Sequence, residues 1–211
     1  MNFMRTLERK LGWIAIPNLA IIIVTLQACG TIFVLMDPAW TLRLALIPEF
    51  VLAGEYWRLV TFLALPLSTS IIWAIFTLWF LYFVVSTIEN EWGAFKTTLY
   101  VLVSYVVMVA FSFLFHYPIT QIAGFESTLF LAAASLFPET TILIFLVIPA
   151  KMKWLAWFTG ALVLYQFATG GWLDRLYLVA IYANYLIFFG PAMLVSLKQA
   201  HRRWDYKRKL R

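Results

Sequence analysis

Residues 66–88 read PLSTSIIWAIFTLWFLYFVVSTI, a run without one Asp, Glu, Lys or Arg. A helix that crosses a bilayer needs roughly 20 consecutive apolar residues, because inside hydrocarbon each backbone N–H and C=O must be bonded within its own segment. This run meets that requirement. Outward from it, similar runs bounded by charged or turn residues lie at 14–36, 97–115, 119–137, 154–171 and 176–197. With the first they predict about six spans. Composition agrees, since 64% of the 211 residues are hydrophobic and 12% charged, against roughly 25% charged in a soluble domain. The expected fold class is all-α, a polytopic membrane helical bundle forming a single domain over 1–211, with no soluble domain, internal repeat or low-complexity tract.

The formal charge of +6 would suit nucleic acid if it lay along a soluble face, but the basic residues crowd the two ends. Arg5, Arg9 and Lys10 stand at one end, and Lys198, Arg202, Arg203, Lys207, Arg208, Lys209 and Arg211 at the other. By the positive-inside rule both termini are expected in the cytoplasm, and Lys96, Lys151 and Lys153 fit the same sidedness. The basic tail, 198–211, is expected either to attract anionic lipid, at roughly 1 kcal/mol per charge, or to act as a topology signal alone. A compact chain of this kind points to a bacterial inner membrane. The stretch Leu26-Gln27-Ala28-Cys29 is loosely like a lipoprotein cleavage box, but Gln27 fits it poorly and more spans follow, so an uncleaved signal anchor is expected. Cys29 is the only cysteine, which leaves no intrachain disulfide and no Cys-built metal site.

Between the first two runs, residues 37–65 carry Trp40, Tyr56 and Trp57 beside Arg43 and Arg58. Aromatic rings with basic neighbours favour headgroup depth, so this connection is expected to lie in the interface. Residues 142–148 are apolar but cut off by Pro149, Lys151 and Lys153, and read as a re-entrant or surface-lying stretch.

Three motifs in order give the pattern a resemblance. Gly54-Glu55-Tyr56-Trp57-Arg58-Leu59-Val60-Thr61 resembles the first-loop Trp-Arg motif of the rhomboid superfamily, and Glu89-Asn90-Glu91-Trp92-Gly93 resembles the Glu-x-x-x-Gly turn after the second span of that family. Phe137-Pro138, followed by Ile148-Pro149-Ala150-Lys151-Met152-Lys153-Trp154-Leu155, resembles the connection between its fourth and fifth spans. The resemblance implies six helices around a hydrophilic cavity. From the residues alone, Trp57 and Arg58 read as anchors at headgroup depth, and Glu89 with Gly93 as a helix-end turn.

Active rhomboids are intramembrane serine proteases with a Ser in a Gly-x-Ser-Gly turn on the fourth span and a His on the sixth. Here the family serine position falls near Ala123, with Gly124 as the second glycine and Gln121 in place of the first. The histidine position falls near Asn184, whose amide is no general base, and the family's oxyanion-holding residues fall near Ile71 and Ile75. The resemblance therefore implies an inactive member. A displaced dyad of Ser127 and His116 is the enzymatic alternative. From the residues alone, His116 reads as an interfacial group capping a helix or facing water, and Ser127 and Ser135 as small residues that bond their own backbone. His116 and His201 are the two histidines, too few for a catalytic zinc site.

Glu126 is the residue that calls for a function, since an ionisable group inside a span is costly. It is expected to form a polar cavity with Ser127 and Asn184, with Asn184 or Gln166 as its partner; a carboxyl simply reaching water is the alternative. No cofactor is expected, as the sequence holds no phosphate loop or dinucleotide fingerprint. The expected work is binding or escort of other transmembrane segments, as in inactive rhomboid-like proteins of the derlin type. A small transporter or channel is the third possibility, thinly supported by one intramembrane carboxyl.

Overall fold

The computed structural model describes residues 8–144 and 148–209, with side chains placed except at 143–148 and beyond 190. Arg5 and the side chains of His201 and of the basic tail 198–211 thus lie outside what is described. The chain is mostly helical, and among the described residues four helices are long and apolar enough to cross a membrane, within Glu8–Met36, Ile71–Trp92, Ala94–Phe115 and Trp172–Gly190. That is the signature of a helical membrane protein.

The first long helix, α1 (Leu19–Met36), is followed by three short helices, α2 (Trp40–Leu44), α3 (Pro48–Leu52) and α4 (Arg58–Thr61). Next come α5 (Ile71–Trp92), α6 (Ala94–Phe115), α7 (Ala123–Leu136), the strands β1 (Thr141–Ile144) and β2 (Ile148–Lys151), α8 (Met152–Thr169) and α9 (Trp172–Lys209). The apolar run 119–137 therefore yields a helix of 14 residues, shorter than a typical span. It is also the best enclosed. α5, α8 and α9 all pack on α7, and Phe125, Leu129, Phe130, Ala132, Ala133 and Ala134 are buried along it. Small residues on its second half let the neighbouring helices approach closely. α8 is the opposite case, with Met152 its one buried residue and Trp154, Trp157, Phe158 and Tyr165 exposed.

The junction of α5 and α6 is a single residue. Gly93 takes φ +79°, a left-handed conformation that costs glycine nothing, and its N–H closes onto the Glu89 carbonyl at 2.8 Å. The Glu89 carboxylate meanwhile accepts the Asn18 N–H at 2.7 Å, tying the start of α1 to the end of α5. Glu89 and Gly93 thus form the helix-end turn expected of them, and Glu89 does more than end a helix.

Arg58, expected at headgroup depth, is not an exposed side chain. It is buried, and its guanidinium donates to the carbonyls of Leu42 at 2.5 Å and Ala45 at 2.9 Å and to the Glu55 carboxylate at 2.6 Å. Phe50 stacks beneath it, 4.8 Å from ring centre to guanidinium carbon. Five donors in a rigid fork can satisfy several carbonyls at once, which an exposed anchor has no need to do. Arg58 therefore gathers α2, α3 and α4 into one unit, while Trp57 beside it stays exposed with Tyr56. A backbone bridge between Leu46 and Ile119 fastens this unit to the connection before α7.

Thr141–Ile144 and Ile148–Lys151 pair as antiparallel strands, Thr141 with Lys151 and Ile144 with Ile148; residues 145–147, within the stretch 142–148 expected to be re-entrant or surface-lying, lie outside the described residues. Glu139, just ahead of the first strand, accepts from Lys151 at 2.8 Å and Lys153 at 2.6 Å. These two ammonium groups lower its carboxyl to a pKa of about 2.

Gly30 is the tightest helix contact. A Cβ built there would lie 1.9 Å from the Ala64 carbonyl oxygen, on the turn that follows α4. Gly30→Ala would gain about 1 kcal/mol of helix propensity, but the clash is with backbone, which cannot swing aside. The expected net result is a loss of about 1–3 kcal/mol, read as a lower melting temperature of the detergent-purified protein.

Candidate functional site

The site is built on the first turn of α7. Glu126 is 7% exposed, and its carboxylate accepts a short hydrogen bond from the Gln27 side-chain amide of α1. Gln27 is itself 4% exposed, and its carbonyl accepts the Thr31 hydroxyl at 2.7 Å. An amide is a suitable partner at this depth, because it supplies a donor without adding a second charge to desolvate.

This arrangement corrects the expected pairing. Neither Asn184 nor Gln166 meets Glu126. Asn184 is buried on α9 and donates to the Tyr100 carbonyl at 3.0 Å and the Ser104 hydroxyl at 2.6 Å, both on α6. Its Oδ1 has no partner among the described residues. Asn184 therefore clamps α9 to α6 instead of lining a cavity with Glu126. Gln27 was missed because a lone Gln inside an apolar run carries no motif, although a polar side chain in a span is a signal that it needs a buried partner.

Ser127 does share a cavity with Glu126. A cavity of about 220 Å³ between α5, α7 and α8 is lined by Thr77, Phe80, Ala123, Glu126, Ser127 and Thr159, among others. Its walls are largely apolar and its polar groups come from these few side chains. The Ser127 hydroxyl donates to the Gly124 carbonyl at 2.7 Å and makes a short hydrogen bond with the Tyr182 hydroxyl. Ser135 pairs similarly with Tyr185, at 2.6 Å.

His116 ends α6 in a left-handed conformation, φ 49°, with its Nδ1 3.2 Å from the Glu49 carboxylate at the surface. It thus ends a helix with an exposed side chain, and the hydrogen bonds of Ser127 and His116 lead to different partners. Ala123 occupies the first position of α7, and Ile71 and Ile75 are exposed apolar residues at the start of α5. Among the described residues no group of three or more His, Cys, Asp or Glu could hold a metal ion.

A second cavity, of about 280 Å³, opens where α7 begins and is lined by Tyr117, Gln121, Gly124, Gln166, Asp174 and Tyr177, among others. Gln166 belongs here, away from Glu126. Tyr117 donates to the Asp174 carboxylate at 2.7 Å; burial first, and this bond second, push its hydroxyl up to a pKa of about 12.

No protein-family model, curated protein or solved structure matches the chain. The site is accordingly read from its own geometry.

Removing Gln27 should show how far Glu126 depends on it. Gln27→Leu leaves a buried carboxyl without its donor and is expected to cost about 1–3 kcal/mol. Adding Glu126→Leu removes the stranded group too, so the double variant should recover part of that loss. A double-mutant cycle on thermal unfolding in detergent reads the coupling; additive losses would mean the two side chains do not interact.

Proposed function

We propose that this chain is a catalytically inactive rhomboid-like protein that binds other transmembrane segments at the cavity between α5 and α8. The observation that carries the proposal is a largely apolar cavity whose wall includes the buried, ionisable Glu126 and the neighbouring Ser127, flanked by α8, where Met152 is the one buried residue. In lipid a helix with an unsatisfied polar group finds no partner, and a cavity of this composition offers one. Apolar clients that merely pack poorly gain contact with the aromatic walls, including Phe80 and Phe130.

In this reading α7 and α8 complete six spans with the four longer helices, and both termini face the cytoplasm of a bacterial inner membrane. The short α2–α4 unit lies in the interface, with Tyr56 and Trp57 toward the headgroups. Anionic lipid gathers at the basic tail. Support for an inactive site comes from Ala123, which has no nucleophilic oxygen, and from Asn184, whose amide is engaged with α6. No observation favours a displaced serine protease, since Ser127 and His116 are each bonded elsewhere.

A photoreactive amino acid at Thr159, on the cavity wall, should crosslink transmembrane segments of co-expressed membrane proteins. The same probe at Leu164, on the exposed side of α8, serves as the lipid-facing control. Adducts at position 159 should fall about fivefold in a Glu126→Leu background, the loss corresponding to one hydrogen bond. Equal yields at 159 and 164, or yields indifferent to Glu126, would refute binding at this cavity. A fluorophosphonate probe should leave the protein unlabelled under conditions that label an active rhomboid.

A further inference from the structure

An open groove on the surface of the turn between α8 and α9 plays no part in the client-binding reading. Its volume is about 320 Å³, and it is lined by Phe167 from the end of α8 and by Trp172, Arg175, Leu176 and Val179 from the start of α9. Positions 172, 176 and 179 follow the i, i+4, i+7 spacing of one helix face, and their side chains are exposed together with that of Phe167. At 1.5 Å per residue this face runs about 10 Å along α9. The part of α9 apolar enough to cross a membrane begins at Trp172, so the groove starts at the hydrocarbon edge and runs inward.

Arg175 is the one charged residue in this wall, and it is exposed. Its guanidinium donates to the Ala168 carbonyl at 3.0 Å and lies 5.9 Å from the centre of the Phe167 ring. The carbonyl belongs to the last turn of α8, where a helix leaves acceptors free. A guanidinium has five N–H donors, and among the described residues the rest of them have no protein acceptor. No carboxylate balances the charge either. The adjacent Asp174 is turned to the Tyr117 hydroxyl and the Gly171 N–H, whereas Lys151 and Lys153, at the opposite end of α8, both pair with Glu139. A fixed cation with unclaimed donors above an apolar groove is complementary to an anion carried on an apolar chain.

We propose that this groove binds one anionic phospholipid, its phosphate at Arg175 and an acyl chain along Trp172, Leu176 and Val179. Arginine matches phosphate with two parallel N–H bonds. A headgroup of net negative charge neutralises Arg175, whereas a zwitterionic headgroup brings a cation of its own. The apolar wall gives an acyl chain contact that a free phosphate would not use. The site is separate from the basic tail, which begins at Lys198 in the far half of α9.

The test uses the full chain in phosphatidylcholine nanodiscs that hold a trace of lipid with a photoreactive acyl chain, either phosphatidylglycerol or phosphatidylcholine, and labelled peptides are mapped by mass spectrometry. Phosphatidylglycerol should label 167–179 more strongly than phosphatidylcholine does, while the two should label 154–158 alike, where Trp154, Trp157 and Phe158 are exposed. Inorganic phosphate in the buffer should not displace the label. Arg175→Gln should lower phosphatidylglycerol labelling of 167–179 about tenfold, the loss of a hydrogen bond between charged groups, and leave 154–158 unchanged. Arg175→Lys keeps the charge without the fork and should fall between. Val179→Trp, at an exposed position, fills the groove while Arg175 stays, and should lower the labelling too. The proposal is overturned if the two lipids label 167–179 equally, if phosphate displaces the label, or if the labelling survives both Arg175→Gln and Val179→Trp. Client crosslinking at Thr159 is read separately, so either site can fail alone.

Discussion

A carboxyl buried in a helical bundle must be given a donor, and the hydrogen bond from Gln27 to Glu126 meets that demand. It joins the first long helix to the 14-residue α7, the most enclosed one, across 99 positions of sequence. Around it the other contacts are either apolar packing or neutral hydrogen bonds between hydroxyls, amides and carbonyls. Ser127 with Tyr182, Ser135 with Tyr185, and Asn184 with Ser104 repeat one device: a polar side chain on one helix satisfied by a neutral group on another. Neutral partners avoid the cost of desolvating a second ion. Among the described residues Glu126 brings a carboxyl into this network, and it stands in a cavity wall.

The end of the bundle where α7 begins is held by a different logic. Arg58 is a buried charge, but its neighbours are carbonyls, a carboxylate and a ring, all supplied by one folded connection. That connection is then fixed to the start of α7 through Leu46 and Ile119. The position of the first turn of α7, and hence of both cavities, follows from this anchoring together with the Gly30 contact to Ala64.

Much of this was legible in the sequence because membrane helices announce themselves by length. The runs 66–88 and 97–115 become α5 and α6, and Gly93 marks the turn between them. The run 119–137 was longer than the helix it produced, since Ile119 belongs to a bridged connection and Phe137 to the exit after the helix. The paired strands were hidden because an apolar stretch of a few residues does not distinguish a strand from a buried helical segment by periodicity alone. The importance of Glu126 was visible from its charge, but its partner was not. Tertiary pairing of two single polar residues leaves no local pattern, and the nearest candidates in the neighbouring motifs, Asn184 and Gln166, proved to have other places.

The most direct test of this account is the distance between the Gln27 side-chain nitrogen and the Glu126 carboxyl carbon in a lipid bilayer. Solid-state NMR of protein labelled with 15N-glutamine and 13C-glutamate, with Gln27→Leu as the subtraction control, measures it through the dipolar coupling. The account predicts a coupling of hydrogen-bonded strength that vanishes in the variant. A spectrum unchanged by Gln27→Leu would contradict it, and would leave Glu126 without the partner on which the site is built.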